Sequence, residues 1–389
     1  MLADIEQIGR NPRTGGYRRD AWSPADMELR AWFTQEAGQR GLTSHEDRNG
    51  NLWAWWGDPS TQGPGLVTGS HLDSVREGGA FDGPLGVASA FQAIDLLRGD
   101  GFEPDRPIAV ACFTDEEGAR FGVPCIGSRL LTGVLDPVRA RSLKDDQGLS
   151  LDEVLTAEGR DPAHLGRDDE TLAHVGVFVE LHVEQGRALQ GPVGVASAIW
   201  PHGRWRFDFR GTADHAGTTA LEDRDDPMLA YARAVLAARV QAETHGVRAT
   251  FGKVRVEPGN ANAIPSLVTA WLDARGPETG AVRRLVEELS AGVEVTEESW
   301  TPEVTFDDVL RHRIATVAGL DGHPAPILPT AAGHDAGILA SAGVPTAMLF
   351  VRNPTGVSHA PGEFAEPADC VSGVIALAAV LADLTGGGA

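Results

Sequence analysis

Four short apolar runs constrain this chain more than any other feature, because three of them stop at residues able to bind a metal or move a proton. Gly65-Leu66-Val67-Thr68-Gly69 leads into Ser70-His71-Leu72-Asp73, and Pro107-Ile108-Ala109-Val110-Ala111-Cys112-Phe113 into Thr114-Asp115-Glu116-Glu117. Gly176-Val177-Phe178-Val179 runs into Glu180-Leu181-His182, and residues 345–351 form the fourth run. Uninterrupted apolar runs are expected of strands covered on both faces. Helical spacing at 85–97 separates the first two. The pattern predicts an α/β fold, a mixed and mostly parallel sheet with helices on both faces. In such sheets functional groups gather at the carboxyl ends of the strands.

The flanking segments read differently. Ser23-Pro24-Ala25-Asp26 has the N-cap, first-turn proline and early acid that open a helix, and Asn49-Gly50-Asn51 marks a turn before a strand at 52–56. Residues 204–210 alternate Trp205, Phe207 and Phe209 with Arg204, Arg206, Asp208 and Arg210, the period of a half-exposed strand. A helix at 227–244, strands at 249–256 and 267–273, a helix at 280–289 and a strand near 293–295 complete a β-α-β-β-α-β order. That is a ferredoxin-like unit. It is placed at 204–316, inserted into a larger domain made of 1–203 and 317–389. The glycines at 386–388 are expected to fray.

Charge narrows the partners. With 55 acidic against 33 basic side chains, the net charge is -22. That disfavours binding to a phosphate backbone, and no nucleic-acid partner is expected. Apolar stretches such as 374–384 fall short of the roughly 20 residues a bilayer requires, so no membrane role is expected. The start, Met1-Leu2-Ala3-Asp4-Ile5-Glu6, lacks the basic and apolar regions of a secretory signal. Three cysteines without framework spacing suit a reducing compartment. A cytoplasmic location is expected.

The strand ends carry the chemistry. Residues i and i+2 of extended backbone share a side, so Asp73 is expected to hydrogen-bond one ring nitrogen of His71 and leave the other as a metal ligand. The loop Gly78-Gly79-Ala80-Phe81-Asp82-Gly83-Pro84 presents one carboxylate, Asp82, at a helix start, where it can bridge two cations. In Asp115-Glu116-Glu117 neighbouring acids diverge, so one can bind a cation while the next acts as general base. His182 and His359 add two imidazoles. Each motif alone is compatible with an ordinary turn. Together, two histidines, an aspartate bridge, a glutamate and a third histidine satisfy two hydrolytic divalent metals. His45, His164, His174, His245, His312 and His323 read as surface residues, and no G-x-G-x-x-G follows a strand to suggest a dinucleotide.

With these residues assembled, the chain resembles the M20-type metallo-amidohydrolases, in particular the allantoate amidohydrolase, N-carbamoyl-L-amino-acid hydrolase and β-ureidopropionase group. The resemblance runs through Thr14-Gly15-Gly16, Gly69-Ser70-His71-Leu72-Asp73-Ser74-Val75, Gly79-Ala80-Phe81-Asp82-Gly83 and Glu116-Glu117-Gly118-Ala119-Arg120-Phe121. It continues in Glu180-Leu181-His182-Val183-Glu184-Gln185-Gly186, His215-Ala216-Gly217-Thr218-Thr219, Gly333-His334-Asp335-Ala336 and Ser358-His359. It implies one metal on His71, Asp82 and His182 and a second on Asp82, Glu117 and His359, with Asp82 bridging. It further implies Glu116 as general base, Asp73 as the orienter of His71, and His215 as an oxyanion donor reaching the partner subunit's site. Asn262 and Arg275 are implied to grip a substrate carboxylate, with Gln185 and the backbone of Gly333 nearby. The inserted domain is implied to be a lid and the contact of a homodimer.

The activity so implied is hydrolysis of a linear ureido or amide bond in a small carboxylate substrate of allantoate or N-carbamoyl-L-amino-acid type. A metal-bridged hydroxide and the Glu116 base would release ammonia and carbon dioxide. Zinc, manganese, cobalt and nickel all suit the ligands. Histidine at 182, where peptidase relatives commonly carry a carboxylate, favours this branch over an M20-type dipeptidase or aminoacylase; a formyl or formimino amino acid is a further alternative. Three stretches depart from the family pattern, all bearing on substrate choice: Pro201-His202-Gly203-Arg204, Pro329-Thr330-Ala331-Ala332-Gly333 and Arg224-Asp225-Asp226.

Overall fold

The computed structural model describes residues 1–386, so Gly387 and Gly388 of the expected frayed end lie outside the described residues. The chain forms two compact units. The first comprises Met1–Ser197, Thr305–Thr330 and His334–Ala389; the second comprises Ala198–Val304 with Ala331–Gly333.

A nine-stranded sheet organises the first unit. Its four central strands, Ile108–Phe113, Gly65–His71, Val175–Val183 and Thr346–Val351, are mutually parallel. Leu52–Trp56 joins one side of this set and Val193–Ile199 the other, both antiparallel. Thr43–Glu46, which the sequence reading missed, extends the edge beyond Leu52–Trp56. It is a short, exposed strand of Thr-Ser-His-Glu without the apolar run that betrays its neighbours.

The central strands are buried on both faces, as their unbroken apolar runs required. Ile108, Val110, Cys112, Val179, Leu181, Val183, Ala347, Leu349 and Val351 enter one core cluster with the helices Pro84–Gly99 and Pro367–Thr385. The alternate residues Ala109, Ala111, Phe113, Phe178, Met348 and Phe350 are equally buried on the other face. Glu180 and His182 alternate with Val179, Leu181 and Val183, so strand periodicity alone sends both away from the first cluster.

The helix Pro24–Gln39 begins as read from sequence, with the Ser23 side chain accepting the Asp26 N–H, a cap worth about 1 kcal/mol. The helix Pro367–Thr385 is longer than the apolar run suggested: its 19 residues are apolar enough to cross a membrane by length and composition. Here Leu377, Val380 and Leu381 are fully buried in the core instead.

The second unit holds a four-stranded antiparallel sheet in the order Glu294–Thr301, His202–Arg210, Leu267–Arg275, Arg248–Glu257. Numbered along the chain this is 4-1-3-2, the ferredoxin-like arrangement. Trp205, Phe207 and Phe209 alternate into its core with Val282 and Leu285 of the helix Thr279–Leu289. The other helix, Pro227–His245, buries Ala238 and Ala242 but exposes Met228, Leu229, Val235, Leu236 and Val240. A two-stranded ribbon, absent from the sequence reading, pairs Asp214–His215 with Ala263–Ile264.

Candidate metal centre and active site

Asp82 is where the predicted ligands converge. His71 is the last residue of its strand, and the chain reaches Asp82 through a loop that ends in Gly83, just before the helix Pro84–Gly99. Gly83 has φ +85°, and a Cβ there would lie 2.4 Å from the His71 ring, so only glycine lets the loop lie over the imidazole. Asp82 Oδ1 stands 3.6 Å from His71 Nε2 and 3.2 Å from His182 Nε2. Its other oxygen, Oδ2, stands 3.4 Å from His359 Nε2, which is itself 3.4 Å from Glu117 Oε1. The three donor atoms of each set lie within 4.8 Å of one another.

The tautomers explain why these sets suit a cation. His71 Nδ1 lies 3.1 Å from the Asp73 carbonyl and His182 Nδ1 lies 2.9 Å from the Val183 carbonyl, so each Nδ1 carries the proton. Both buried Nε2 atoms lack a hydrogen-bond partner. Each therefore aims a lone pair at the Asp82 carboxylate, acceptor against acceptor, which only a proton or a metal cation between them relieves. The same field lifts both imidazoles above their ordinary pKa: burial opposes it, but Asp73 and Asp82 outweigh burial at His71, and Asp82 does so at His182. Asp82 itself is held well below the carboxylate range, burial being outweighed by His182, His359 and His71. Two histidines, a shared aspartate, a glutamate and a further histidine fit two divalent cations.

The carboxylates beyond Phe113 are set by a tight turn. Asp115 has φ 54°, a left-handed conformation that redirects the chain as the strand ends. Asp73 fixes the next two residues, since its two carboxylate oxygens accept the N–H groups of Glu116 and Glu117, each at 3.1 Å. The hydrogen bond expected between Asp73 and a ring nitrogen of His71 is present, with the Asp73 carbonyl as its acceptor. The strand stops at His71, so the i, i+2 rule does not extend to Asp73; its carbonyl meets the His71 ring, and its carboxylate, 3.6 Å from Nδ1, serves the glutamate turn.

Glu116 Oε2 lies 3.8 Å from His71 Nε2, and its Oε1 accepts from Cys125 Sγ at 3.4 Å. Burial raises the Glu116 carboxyl well above its ordinary range; His71 opposes this, and Glu117, Asp335 and Asp73 add to it. A carboxylate with raised proton affinity beside a candidate metal pocket has the character of a general base. Gln185 joins the same cluster, its amide donating to Asp82 Oδ2 at 2.6 Å.

The remaining predicted residues fall into two further groups, both in the second unit. Arg275 sits at one end of its strand, opposite His202 in register. Gly333 is beside it, its absent Cβ leaving room for the His202 ring, while Ala331 accepts from Arg275. His215 and Asn262 belong to the two-stranded ribbon, where His215 registers with Ala263 and the Ala216 N–H donates to the Asn262 carbonyl. That ribbon follows the opposite end of the sheet, at the Arg210–Leu267 pair. The eight residue steps between the two ends span about 27 Å at strand rise. Within one chain these two groups therefore stand toward opposite ends of the second unit's sheet. The backbone N–H of Gly217 donates to His215 Nδ1 at 3.0 Å, which leaves the proton of the neutral ring on Nε2.

Sequence reasoning missed several buried groups. His334 packs its ring 4.5 Å from that of His182, and Glu180, His182 and His334 form a third cluster of ligand-type atoms. Glu180 accepts from Ser70 Oγ and from the Ala336 N–H, and burial, then Glu180, pushes the Asp335 carboxyl up to about 8. His334 and Asp335 lie within a family-like motif, Gly333-His334-Asp335-Ala336, but follow no apolar run, so strand-end logic passed over them.

Residues 67–383 match Peptidase family M20/M25/M40. The chain is 32% identical to an N-carbamoyl-L-amino acid amidohydrolase of Geobacillus stearothermophilus, over 96% of this chain and 94% of that protein. It is 29% identical to the allantoate amidohydrolase of Escherichia coli, over 98% and 95%. The crystal structure of an amidase of the hydantoinase/carbamoylase family from Burkholderia vietnamiensis superposes with a TM-score of 0.90, at 28% identity over 99% and 95% of the two chains. The protein belongs to Peptidase family M20/M25/M40, within its amidohydrolase group. It is a hydrolase of C–N bonds.

Proposed function

We propose that the protein hydrolyses a linear ureido or amide C–N bond in a small carboxylate-bearing substrate of allantoate or N-carbamoyl-L-amino-acid type. The observation that carries this reading is the pair of donor sets on the two oxygens of Asp82, with the Glu116 carboxylate beside His71. The names of the relatives supply the substrate class.

Two divalent cations on His71, Asp82, His182, Glu117 and His359 would acidify a water and polarise the scissile carbonyl. Glu116 takes the proton of the attacking water. As oxygen adds to the carbonyl carbon, the Nε2–H of His215 donates to the developing oxyanion, a contribution of about 3–4 kcal/mol for one such donor. Glu116 then returns its proton to the leaving nitrogen and the C–N bond breaks. For a carbamoyl substrate this releases the free amine and carbamic acid, which then decomposes to ammonia and carbon dioxide. Arg275 binds the substrate carboxylate through its planar fork; Asn262 and Gln185 add polar contacts.

The protein acts as a homodimer, in this reading, with the second unit as lid and dimerisation domain. Two features of that unit support it: the apolar stripe Met228, Leu229, Val235, Leu236 and Val240, and the edge strand Arg248–Glu257. A dimer also accounts for substrate residues at both ends of one sheet, since Arg275 from one protomer and His215 with Asn262 from its partner can share a substrate. Free Cys112, Cys125 and Cys370 agree with a cytoplasmic location.

The test is ammonia release from metal-reconstituted protein across allantoate, ureidoglycolate, N-carbamoyl-L-amino acids, ureidopropionate, formimino acids, acetyl-amino acids and dipeptides. Turnover confined to ureido substrates is the expected result. Activity confined to dipeptides or acetyl-amino acids would replace the proposal with a dipeptidase or aminoacylase.

A further inference from the structure

Glu363 belongs to neither the predicted site nor the family-like motifs, yet it ties together two loops nearly three hundred residues apart in sequence. Its Oε1 accepts the backbone N–H of Phe81 and that of Asp82, each at 2.9 Å. Its Oε2 lies 3.3 Å from the hydroxyl of Ser358, the residue before His359, and that hydroxyl is also 3.2 Å from Asp82 Oδ2. The fit is close: a Cβ on Gly79 would fall 2.3 Å from Glu363 Oε1, so the loop admits the carboxylate only because residue 79 is glycine. Phe81 and Phe364 meet edge to face at 6.2 Å beside it. Glu363 is buried, 5% exposed, so these contacts are its environment.

The contacts are directional. Two N–H groups fix the main chain at Asp82, and the shared Ser358 hydroxyl touches Oδ2, the oxygen facing His359 and Glu117. Nothing comparable links Glu363 to His71 or His182, whose rings are set by their own carbonyl partners. We propose that Glu363 is a positioning residue that holds the bridging carboxylate of Asp82 against His359 and thereby sets affinity for the second cation. The proposal rests on the two-cation reading above. Hydrogen-bonded residues behind a ligand typically change metal affinity 10–100-fold when removed.

Calorimetric titration of the metal-free full-length protein with Zn²⁺ alone, buffered by a competing chelator, tests it without substrate. The parent is expected to take up two equivalents. Glu363→Ala should bind the second about 10–100-fold more weakly, with the first changed far less, and raised Zn²⁺ should recover activity. Glu363→Gln keeps a carbonyl oxygen for both N–H groups and should stay nearer the parent. Ser358→Ala, which removes only the hydroxyl link, should weaken the second equivalent in the same direction and guards against misfolding of the alanine variant at 363. Two equivalents bound by Glu363→Ala or, if that variant does not fold, by Ser358→Ala, as tightly as by the parent, would overturn the role of Glu363 alone. A parent binding fewer than two equivalents would overturn the two-cation reading itself.

Discussion

Asp273 grips Arg275 along one edge of the guanidinium, Nε to Oδ1 at 2.7 Å and Nη2 to Oδ2 at 2.5 Å, and the Ala331 carbonyl takes an Nη1 hydrogen at 2.9 Å. The Asp273 carboxyl is held below its ordinary range, burial being outweighed by Arg275. Of the five hydrogens of the guanidinium, these contacts leave one on each terminal nitrogen. Arg275→Lys should therefore raise KM for carboxylate substrates about 10–100-fold, because a point charge cannot replace a fixed planar fork. Asp273→Asn should act in the same direction but less. Steady-state kinetics decide; an unchanged KM in Arg275→Lys removes this residue from the substrate site.

Glu116→Gln preserves volume and the contact with Cys125 while abolishing proton transfer. It should retain its metal and lose about 10²–10⁴-fold in kcat. Metal analysis beside kcat separates loss of the base from loss of the cations, and a near-parental rate would reject Glu116 as base.

His215 and Arg275 lie at opposite ends of the second unit's sheet. If sites are shared between protomers, mixing inactive His215→Ala with inactive Glu116→Gln should yield hybrid dimers in which one site has both residues. Activity should return to roughly a quarter of the parental value, the statistical yield for random exchange in a C2 dimer. No recovery after verified subunit exchange would count against shared sites.

Removal of divalent ions with a chelator should abolish turnover, and zinc, manganese, cobalt or nickel should restore it to different extents, because the N and O ligands do not select sharply among them. Chelation should also lower thermal stability, since cations that bind only the folded state stabilise it. Full activity in demonstrably metal-free protein is the contrary result.

Burial raises the Asp26 carboxyl to about 6, although Arg30 and the Trp22 N–H oppose the shift. Unfolded, it would titrate near 3.9. The folded state therefore holds more protons between these values, and by linkage this group's contribution to stability falls as pH rises from about 4 through about 6. The loss is at most about 3 kcal/mol at 1.36 kcal/mol per pKa unit. Asp26→Asn, which keeps an oxygen for the Trp22 N–H, should flatten that slope in denaturant titrations at pH 4 to 7. Parallel slopes in the two proteins would refute it.

The central strands were readable because their apolar runs are unbroken, and the ferredoxin-like unit because Trp205, Phe207 and Phe209 alternate cleanly. Thr43–Glu46 and the ribbon at Asp214–His215 escaped because pairing, not hydrophobic pattern, makes them strands. Four of the ligand candidates were visible as polar residues at strand ends or in a glycine-rich loop; His359 stood out only as a histidine in a family-like motif. Asp73 meets the His71 ring as expected, but through its main-chain carbonyl, because the strand ends before it. Glu363 had no local signal, and His334 only a motif without an apolar run before it: each acquires meaning from a loop or strand brought alongside by the fold. Asn262 and Arg275 came only from the family resemblance, and their places at opposite ends of one sheet follow from register, which sequence does not display.

The imidazoles of His71 and His182 each turn Nδ1 toward a main-chain carbonyl. Their aim is thus inherited from backbone geometry, and no single substitution elsewhere deletes the acceptor that turns them.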